Sequence, residues 1–480
     1  MIDLFSSLRS AGGALDAFTQ ALAVTQNNVT NASTPGYAKQ TQLLEAMPFD
    51  PASGIPGGVS AGEVVSARNE YAEQAVRQPT SLLGEASQNV DSLTTLQSIF
   101  DVSEGAGLSN ALSNLYQAFS AWGQSPTDAN ARQAVIDRAT DVAQAFQQTA
   151  SQLDSAAQDL ETQLGQTVNQ INQLAAKLVN YNGQSIQGGQ NDAGLDAQVN
   201  ATLEQLSQYA DITATRQSDG SLEVLINGQI PLVIGAQQYQ LSSDFATPTI
   251  PPPTVAGAPP SAQILSGGAG DITSRIGGGQ LGALVDLCNN ALPSFRGNAY
   301  QAGDLNAMAK QFADCVNQIL TSGNISDGPP AAPGVPLFTY DAARPTAAAS
   351  TLAVDPAVTA GQLAAIDPGP PEVSNGIPLQ LANLASPRTA ADEIDGASFI
   401  EFYGQMASRV GSALSTAQDR QQVQQSAVAQ AQSIRQQMSG VSLDEEALTV
   451  VEFQRAYEAT ARLIAQLDQI TLDTINMLQT

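Results

Sequence analysis

A mainly α-helical chain, with coiled-coil helices at both ends, a long helical bundle and an inserted mixed, β-containing domain, is predicted by three observations. First, apolar residues near the start step by alternating fours and threes: Leu4, Leu8, Ala11, Leu15, Phe18, Leu22, Thr25 and Val29. The end of the chain repeats the pattern with Val450, Phe453, Tyr457, Thr460, Ile464, Leu467, Thr471, Thr474 and Leu478. A period of about 3.5 residues draws one narrow seam along a helix, and such a seam must be covered by another helix. Second, Ala139, Val142, Phe146, Thr149, Leu153, Ala156 and Leu160 keep the same period. Leu164, Thr167, Ile171, Leu174, Leu178 and Tyr181 resume it after a four-residue step, a stutter. Third, residues 190–394 change to short β-like runs separated by turn residues.

The elements follow in order. The first helix ends near Asn31, where Asn31-Ala32-Ser33-Thr34-Pro35-Gly36-Tyr37 breaks the heptad. Pro35 presets φ for the second turn position and Gly36 supplies the positive φ that a type II turn needs at the third. An extended, Pro- and Gly-containing stretch is expected over 48–62, and helix over 70–100. After a short helix ending near Trp122, Ser125-Pro126-Thr127-Asp128 predicts a start with Ser as N-cap, Pro at the first position and an acid at the third. The helix so opened runs to about Tyr181, about 80 Å at 1.5 Å per residue. Its expected partner is a helix over 398–438 carrying Phe399, Phe402, Met406, Val410 and Leu414. In the middle, Ile212–Arg216, Leu222–Ile226, Ile230–Ile234 and residues 239–241 predict strands, joined through Asp219-Gly220, Asn227-Gly228 and Gly235. Residues 248–261 and 329–336 are Pro-rich loops or linkers, and 281–320 is a helical region holding both cysteines. Three parts result: 1–30 with 445–480 for assembly, 31–189 with 395–444 as the long-helix bundle, and 190–394 as a β-rich domain facing solvent.

Composition narrows the function classes. Of 480 residues only 13% are charged and 5% aromatic, and 45 acidic against 18 basic residues leave a net charge of −27. Such a surface repels phosphate backbones and anionic lipid heads, so neither nucleic acid nor membrane is an expected partner. No apolar run is long enough to span a bilayer, and residues 1–13 hold no uninterrupted apolar core of a cleaved secretory peptide. With no histidine, Ser/His and Cys/His nucleophile pairs and imidazole metal ligands are excluded. Cys288 and Cys315 read as buried small hydrophobes.

Three short patterns could be mistaken for chemistry. Gly277-Gly278-Gly279-Gln280-Leu281-Gly282, with Asp304 further on, matches a dinucleotide fingerprint, but no second parallel strand follows to present that carboxylate, so a flexible turn is expected. Gly267-Gly268-Ala269-Gly270-Asp271 resembles one glycine-rich calcium repeat, yet a single copy makes no coordination cage. Asp444-Glu445-Glu446 is read as helix capping, with Ser442 and Glu445 forming a capping box and the acids complementing the helix dipole. No catalytic residue, metal or cofactor is expected, and the chain is not expected to be an enzyme.

Two motifs carry a family resemblance. Asn27-Asn28 followed by Asn31-Ala32-Ser33-Thr34-Pro35-Gly36-Tyr37-Ala38-Lys39-Gln40 closely resembles the segment that ends the first helix of flagellar rod, hook and hook-associated proteins. Ser439-Gly440-Val441-Ser442-Leu443-Asp444-Glu445-Glu446, continuing to Phe453-Gln454-Arg455-Ala456-Tyr457, is similar to the C-terminal signature of the hook-associated protein 1 family, the first hook–filament junction proteins. The chain departs from that family at Ser33, where Asn is usual, and in its Pro-rich middle insertions. The resemblance implies unfolded export through the flagellar type III channel and insertion at the distal end of the hook. It implies a ring of identical subunits that meets the hook protein on one side and the second junction protein on the other, with an export chaperone as a transient partner. A hook-protein or flagellin-like filament subunit is the nearest alternative, and a secreted enzyme with a catalytic inserted domain a more distant one.

Overall fold

The computed structural model describes residues 2–50, 55–100, 107–189, 192–245, 262–298, 301–326, 328 and 330–478. The expected loop over 248–261 lies outside the described residues, as does the side chain of Leu478.

Helix α1 (Ile2–Asn31) opens the chain. A long antiparallel hairpin follows, β1 (Gln40–Asp50) with β2 (Ile55–Ser66), longer than the extended stretch over 48–62 that the sequence predicts and paired on itself. Helices α2 (Glu70–Ile99), α3 (Gly107–Gln124) and α4 (Ala129–Gln184) come next. Helix α4 starts one turn later than the sequence predicts. Ser125-Pro126-Thr127-Asp128 closes a turn in which the Asp128 N–H donates to the Ser125 carbonyl at 3.1 Å, and the Asp128 carboxylate then accepts the Asn130 N–H at 2.9 Å. Asp128, and not Ser125, therefore satisfies an orphan donor of the first turn. The stutter heptad is buried from Ala139 to Leu178, with Tyr181 half-buried.

The middle of the chain contains α5 (Ala193–Tyr209), which the sequence pattern does not suggest. A four-stranded antiparallel sheet follows in the order β3 (Ile212–Arg216), β4 (Leu222–Ile226), β5 (Ile230–Ile234) and β6 (Gln237–Gln238). Asn227 and Gly228 both take positive φ, 50° and 68°, in the β4–β5 turn, as the two central residues of a type I′ turn must, and the Gln229 N–H closes it on the Ile226 carbonyl at 3.1 Å. Strands β7 (Leu241–Phe245), β8 (Ala262–Ser266) and β9 (Gly270–Asp271) form a separate sheet. The single helical region expected over 281–320 is broken into α6 (Gly279–Asp286), α7 (Leu292–Arg296) and α8 (Asp304–Ser322). Gly297 and Gly303 make the break: both have positive φ, and a Cβ on Gly297 would lie 2.1 Å from the Ala302 carbonyl oxygen. Short strands β10 (Asn324–Ser326) with β11 (Ala332–Pro333), and β12 (Phe338–Thr339) with β13 (Ala353–Val354), flank α9 (Ala348–Thr351). Strand β11 lies within the second Pro-rich stretch. Helices α10 (Gly376–Ala382), α11 (Phe399–Ser439) and α12 (Leu443–Leu478) complete the chain.

The chain divides into two compact units, residues 1–82, 172–239 and 424–480 in one, and residues 83–171 and 240–423 in the other. Residues 192–239, including α5 and the four-stranded sheet, thus pack with the chain ends. In the second unit Phe312 of α8 sits at the centre of an aromatic cluster, its ring 6.2 Å from Phe146, 5.3 Å from Phe338 and 5.4 Å from Phe399. Within this unit Gln88 of α2 bonds Gln163 of α4 and Ser87 of α2 bonds Gln421 of α11, so α2 contacts both of the longest helices. In the first unit α1 lies antiparallel to α12, and the β1–β2 hairpin packs along α1.

Candidate assembly site at the chain ends

The turn after α1 positions everything that follows. The Tyr37 N–H donates to the Thr34 carbonyl at 3.1 Å, closing a four-residue turn with Pro35 second and Gly36 third. Gly36 has φ +76°, and a Cβ there would meet the Ala197 carbonyl oxygen at 2.4 Å and the Ala201 nitrogen at 3.0 Å. Two independent constraints, backbone sign and close approach of α5, therefore demand glycine. Asn31 supports the corner: its Oδ1 accepts the Thr34 hydroxyl at 3.1 Å, and its own amide donates to Asn27.

Inside this corner lies a buried polar lock. Asn28 is 1% exposed and Glu446, at the start of α12, is 2% exposed. The Asn28 amide donates to the Gln40 carbonyl at 2.8 Å and to Glu446 Oε2 at 2.9 Å. Its Oδ1 accepts the Gln40 N–H at 2.9 Å and the Tyr37 hydroxyl at 3.0 Å. Lys39 Nζ lies 3.1 Å from Glu446 Oε1 and 3.2 Å from Glu445 Oε2. One asparagine thus ties the end of α1, the first residue of the hairpin and the beginning of α12. A buried carboxylate is tolerated only when its charge and lone pairs are matched, and Lys39 with Asn28 does this. Burial alone would pull the Lys39 ammonium down, but its bonds to Glu446 and Glu445 and their charges outweigh that and hold it above the ordinary lysine value. Burial, with the Glu446 charge, pushes the Tyr37 hydroxyl up.

A second network braces the corner from behind. Arg68 donates to Glu73, to Asp196 and, at 2.6 Å, to the Gly36 carbonyl. Arg435 of α11 reaches Glu204 at 2.7 Å and Glu73 at 3.2 Å. The Lys39 N–H donates to the Ser439 carbonyl at 2.9 Å, so the α11–α12 junction is pinned to the same corner. The Arg68 and Arg435 bonds are charge-assisted and lie on buried or partly buried groups, the class that fixes geometry most firmly.

Ser442 precedes α12 as its N-cap, with its hydroxyl 3.4 Å from the Glu445 N–H. The Glu445 carboxylate turns to Lys39 instead of reaching back, so the cap has one arm and the other arm joins the lock. Along the helices themselves, Ala11 and Thr25 are buried, and Leu4, Leu8, Leu15, Phe18 and Leu22 are half-buried. Opposite them Val450, Phe453, Thr460, Ile464, Leu467, Thr471 and Thr474 are half-buried, and the Phe18 and Phe453 rings lie 6.4 Å apart. Val29 and Tyr457 are exposed. The most buried line on α1 runs through Ala17, Ala21 and Asn28, rotated slightly from the sequence seam, because the hairpin covers that side. Beyond Glu446, none of the described side chains of α12 is fully buried. Leu448 remains 68% exposed, Leu463 50% and Ile470 50%.

The other short patterns resolve into local structure. Gly278 and Gly279, both with positive φ, lead into α6; a single helical turn, Thr273–Arg275, stands where a dinucleotide fold would place its strand, and Asp304 pairs with Arg409. Asp271 accepts from the Thr273 hydroxyl and N–H in a turn. Cys288 and Cys315 are free and buried, and burial pushes each thiol up to about 12. Among the described residues no group of acidic or cysteine side chains could hold a metal ion.

The flagellar hook-associated protein FlgK helical domain matches residues 93–338. The C-terminal domain of flagellar basal body rod FlgEFG proteins matches 432–477, and the flagella basal body rod protein family matches 8–37. Flagellar hook-associated protein 1 of Bacillus subtilis is 24% identical over 510 aligned residues, covering 99% of both chains. The Salmonella typhimurium protein of the same name is 24% identical over 337 residues, covering 67% of this chain and 58% of its own. The flagellar hook junction protein FlgK from Burkholderia pseudomallei is 26% identical in its solved structure, with a TM-score of 0.46, covering 57% of this chain and 47% of that one.

Proposed function

The chain belongs to the flagellar hook-associated protein FlgK family, structural proteins of the hook–filament junction in the extracellular flagellum, and we propose that it works there as an adaptor whose terminal helices zip neighbouring copies into a ring. The assembly element is 1–30 with 445–480, residues 192–239 pack in the same unit as these ends, and residues 31–189 with 395–444 supply the long helices on which the rest of the inserted segment 190–394 is carried. The observation that carries this reading is the half-covered state of α12. Its own chain supplies α1 along one side, while Leu448, Leu463 and Ile470 stay exposed. A helix pair with an apolar stripe left over is an incomplete coiled coil, and further helices of the same kind complete it. The neighbours of the ring are the hook protein and the second junction protein, reached after type III export, with an export chaperone holding the chain beforehand.

Replacing half-buried Leu467 by Glu tests the seam in cells. Export is expected to continue, while junctions fail to form and filament subunits escape into the medium. Filament growth at the normal level in the Leu467→Glu strain would refute the assignment.

A further inference from the structure

On the side of α1 turned away from α12, the first turns of the helix and the hairpin enclose an apolar groove of about 790 Å³, lined by Phe5, Arg9, Gly13, Met47, Val59 and Ser60 among others. At 3.6 residues per turn Phe5, Arg9 and Gly13 lie about half a turn around the helix from Phe18, which faces the chain's own α12. The chain's own terminal helix is therefore committed elsewhere. We propose that the groove receives the second half of α12 from a second copy, with Leu463 and Ile470 entering the apolar cleft and Asp473 meeting Arg9.

Charge selects this occupant. Arg9 is the only basic residue of α1, and it has no carboxylate within ion-pair distance among the described residues. After Arg462 the chain carries Asp468 and Asp473 and no lysine or arginine. Asp473 follows Ile470 by three residues, so the exposed acid and the exposed apolar side chains lie on neighbouring ridges of one helix face. The half-covered face of α12 is also continuous with the seam it already forms on its own α1, so a neighbour docked in this way extends one interface instead of founding another. An amphipathic helix laid into a hydrophobic groove is a recurring recognition mode, and a charge at the rim fixes its register.

This inference rests on the junction reading above, and its test separates the two. Purified full-length chain is added to isolated hooks, and the concentration giving half-maximal incorporation at hook ends is measured. Arg9→Glu and Asp473→Arg, both at exposed positions, should each raise that concentration about tenfold or more, and the double charge swap should restore it. In a second arm, chains carrying Ser60→Cys and chains carrying Ile470→Cys are mixed, and a disulfide between the two is expected in assembled material and not in dilute monomer. Single variants that incorporate like the unaltered chain, or assembled rings without that cross-link, overturn the groove and leave the junction reading standing. Failure of the unaltered chain to incorporate at hook ends overturns both.

Discussion

Replacing Asn28 by Ala should uncouple α12 from the corner. The substitution removes four hydrogen bonds at once, leaving the Gln40 N–H and carbonyl, the Tyr37 hydroxyl and one oxygen of Glu446 to find other partners. An orphaned buried polar group costs about 1–3 kcal/mol, and more when charged. Tyr37 is only part-buried and can turn to water, and Glu446 keeps Lys39 at 3.1 Å, so the sum is about 3–4 kcal/mol, near the upper end for single substitutions. Because the chain has two compact units, global melting would blur the effect. The suitable assay is amide exchange read by segment, where the first turns of α12 should lose protection by about a hundredfold or more while α8 and its aromatic cluster stay unchanged. Asn27→Ala serves as control, since Asn27 is exposed and its side chain bonds Asn31 one helix turn on; it should shift protection by less than about 0.5 kcal/mol. Equal effects from Asn27 and Asn28 would refute the lock, as would an unchanged α12 in Asn28→Ala.

Three further outcomes follow from the same geometry. Gly36→Ala should destabilise the first unit by about 2–4 kcal/mol, combining a left-handed backbone with a Cβ set 2.4 Å from the Ala197 carbonyl oxygen, and exchange of α5 is the readout. With both thiols raised from 9.0 to about 12, native Cys288 and Cys315 should label with a thiol reagent at about pH 8 roughly a thousandfold more slowly than free cysteine, and denaturant should restore the ordinary rate; fast labelling of either in the native chain would contradict its burial. The raised value of Lys39 means that its contribution is complete below the ordinary lysine range and is lost only as pH climbs past the raised one, so exchange protection of the first turn of α12, corrected for intrinsic rates, should hold between about pH 6 and about pH 9.

How much of this was legible in the residues depended on period and range. The long heptads of α4 and of the chain ends were readable because a 3.5-residue repeat sustained over many turns matches the seam of a helix and the period of no other regular backbone. The turn at Thr34 to Tyr37 was readable because only Gly among the residues takes the required φ freely. The hairpin was not, since β1 leaves Leu43, Leu44, Met47 and Phe49 exposed on both faces and so shows no two-residue alternation. Helix α5 hid for a related reason: its buried face includes Asn200, Thr202 and Ser207, which read as polar. The lock was out of reach. Asn27-Asn28 and Glu446 both fall in the family motifs, yet no local pattern joins residues 418 apart in sequence.

On the proposed assembly reading, the balance at the chain ends accounts for a copy that waits for others. Full burial of a leucine or isoleucine is worth about 1.5–3 kcal/mol, so covering the remaining half of Leu448, Leu463 and Ile470 would return about 3 kcal/mol. Bringing two free molecules together costs about 4–15 kcal/mol in lost translation and rotation, so that stripe alone does not hold a pair of copies. At the end of an ordered hook the cost is met once while several neighbours are touched together, and each added contact then counts in full. The polar lock matters to this balance because it holds the base of α12 against α1 beforehand. Without it the helix would also have to be ordered at the moment of docking, at about 1–2 kcal/mol per residue of backbone, and three side chains would not suffice. On the proposed reading, the buried asparagine and glutamate, by ordering the base of α12 in advance, are what lets a weak stripe act at the hook end.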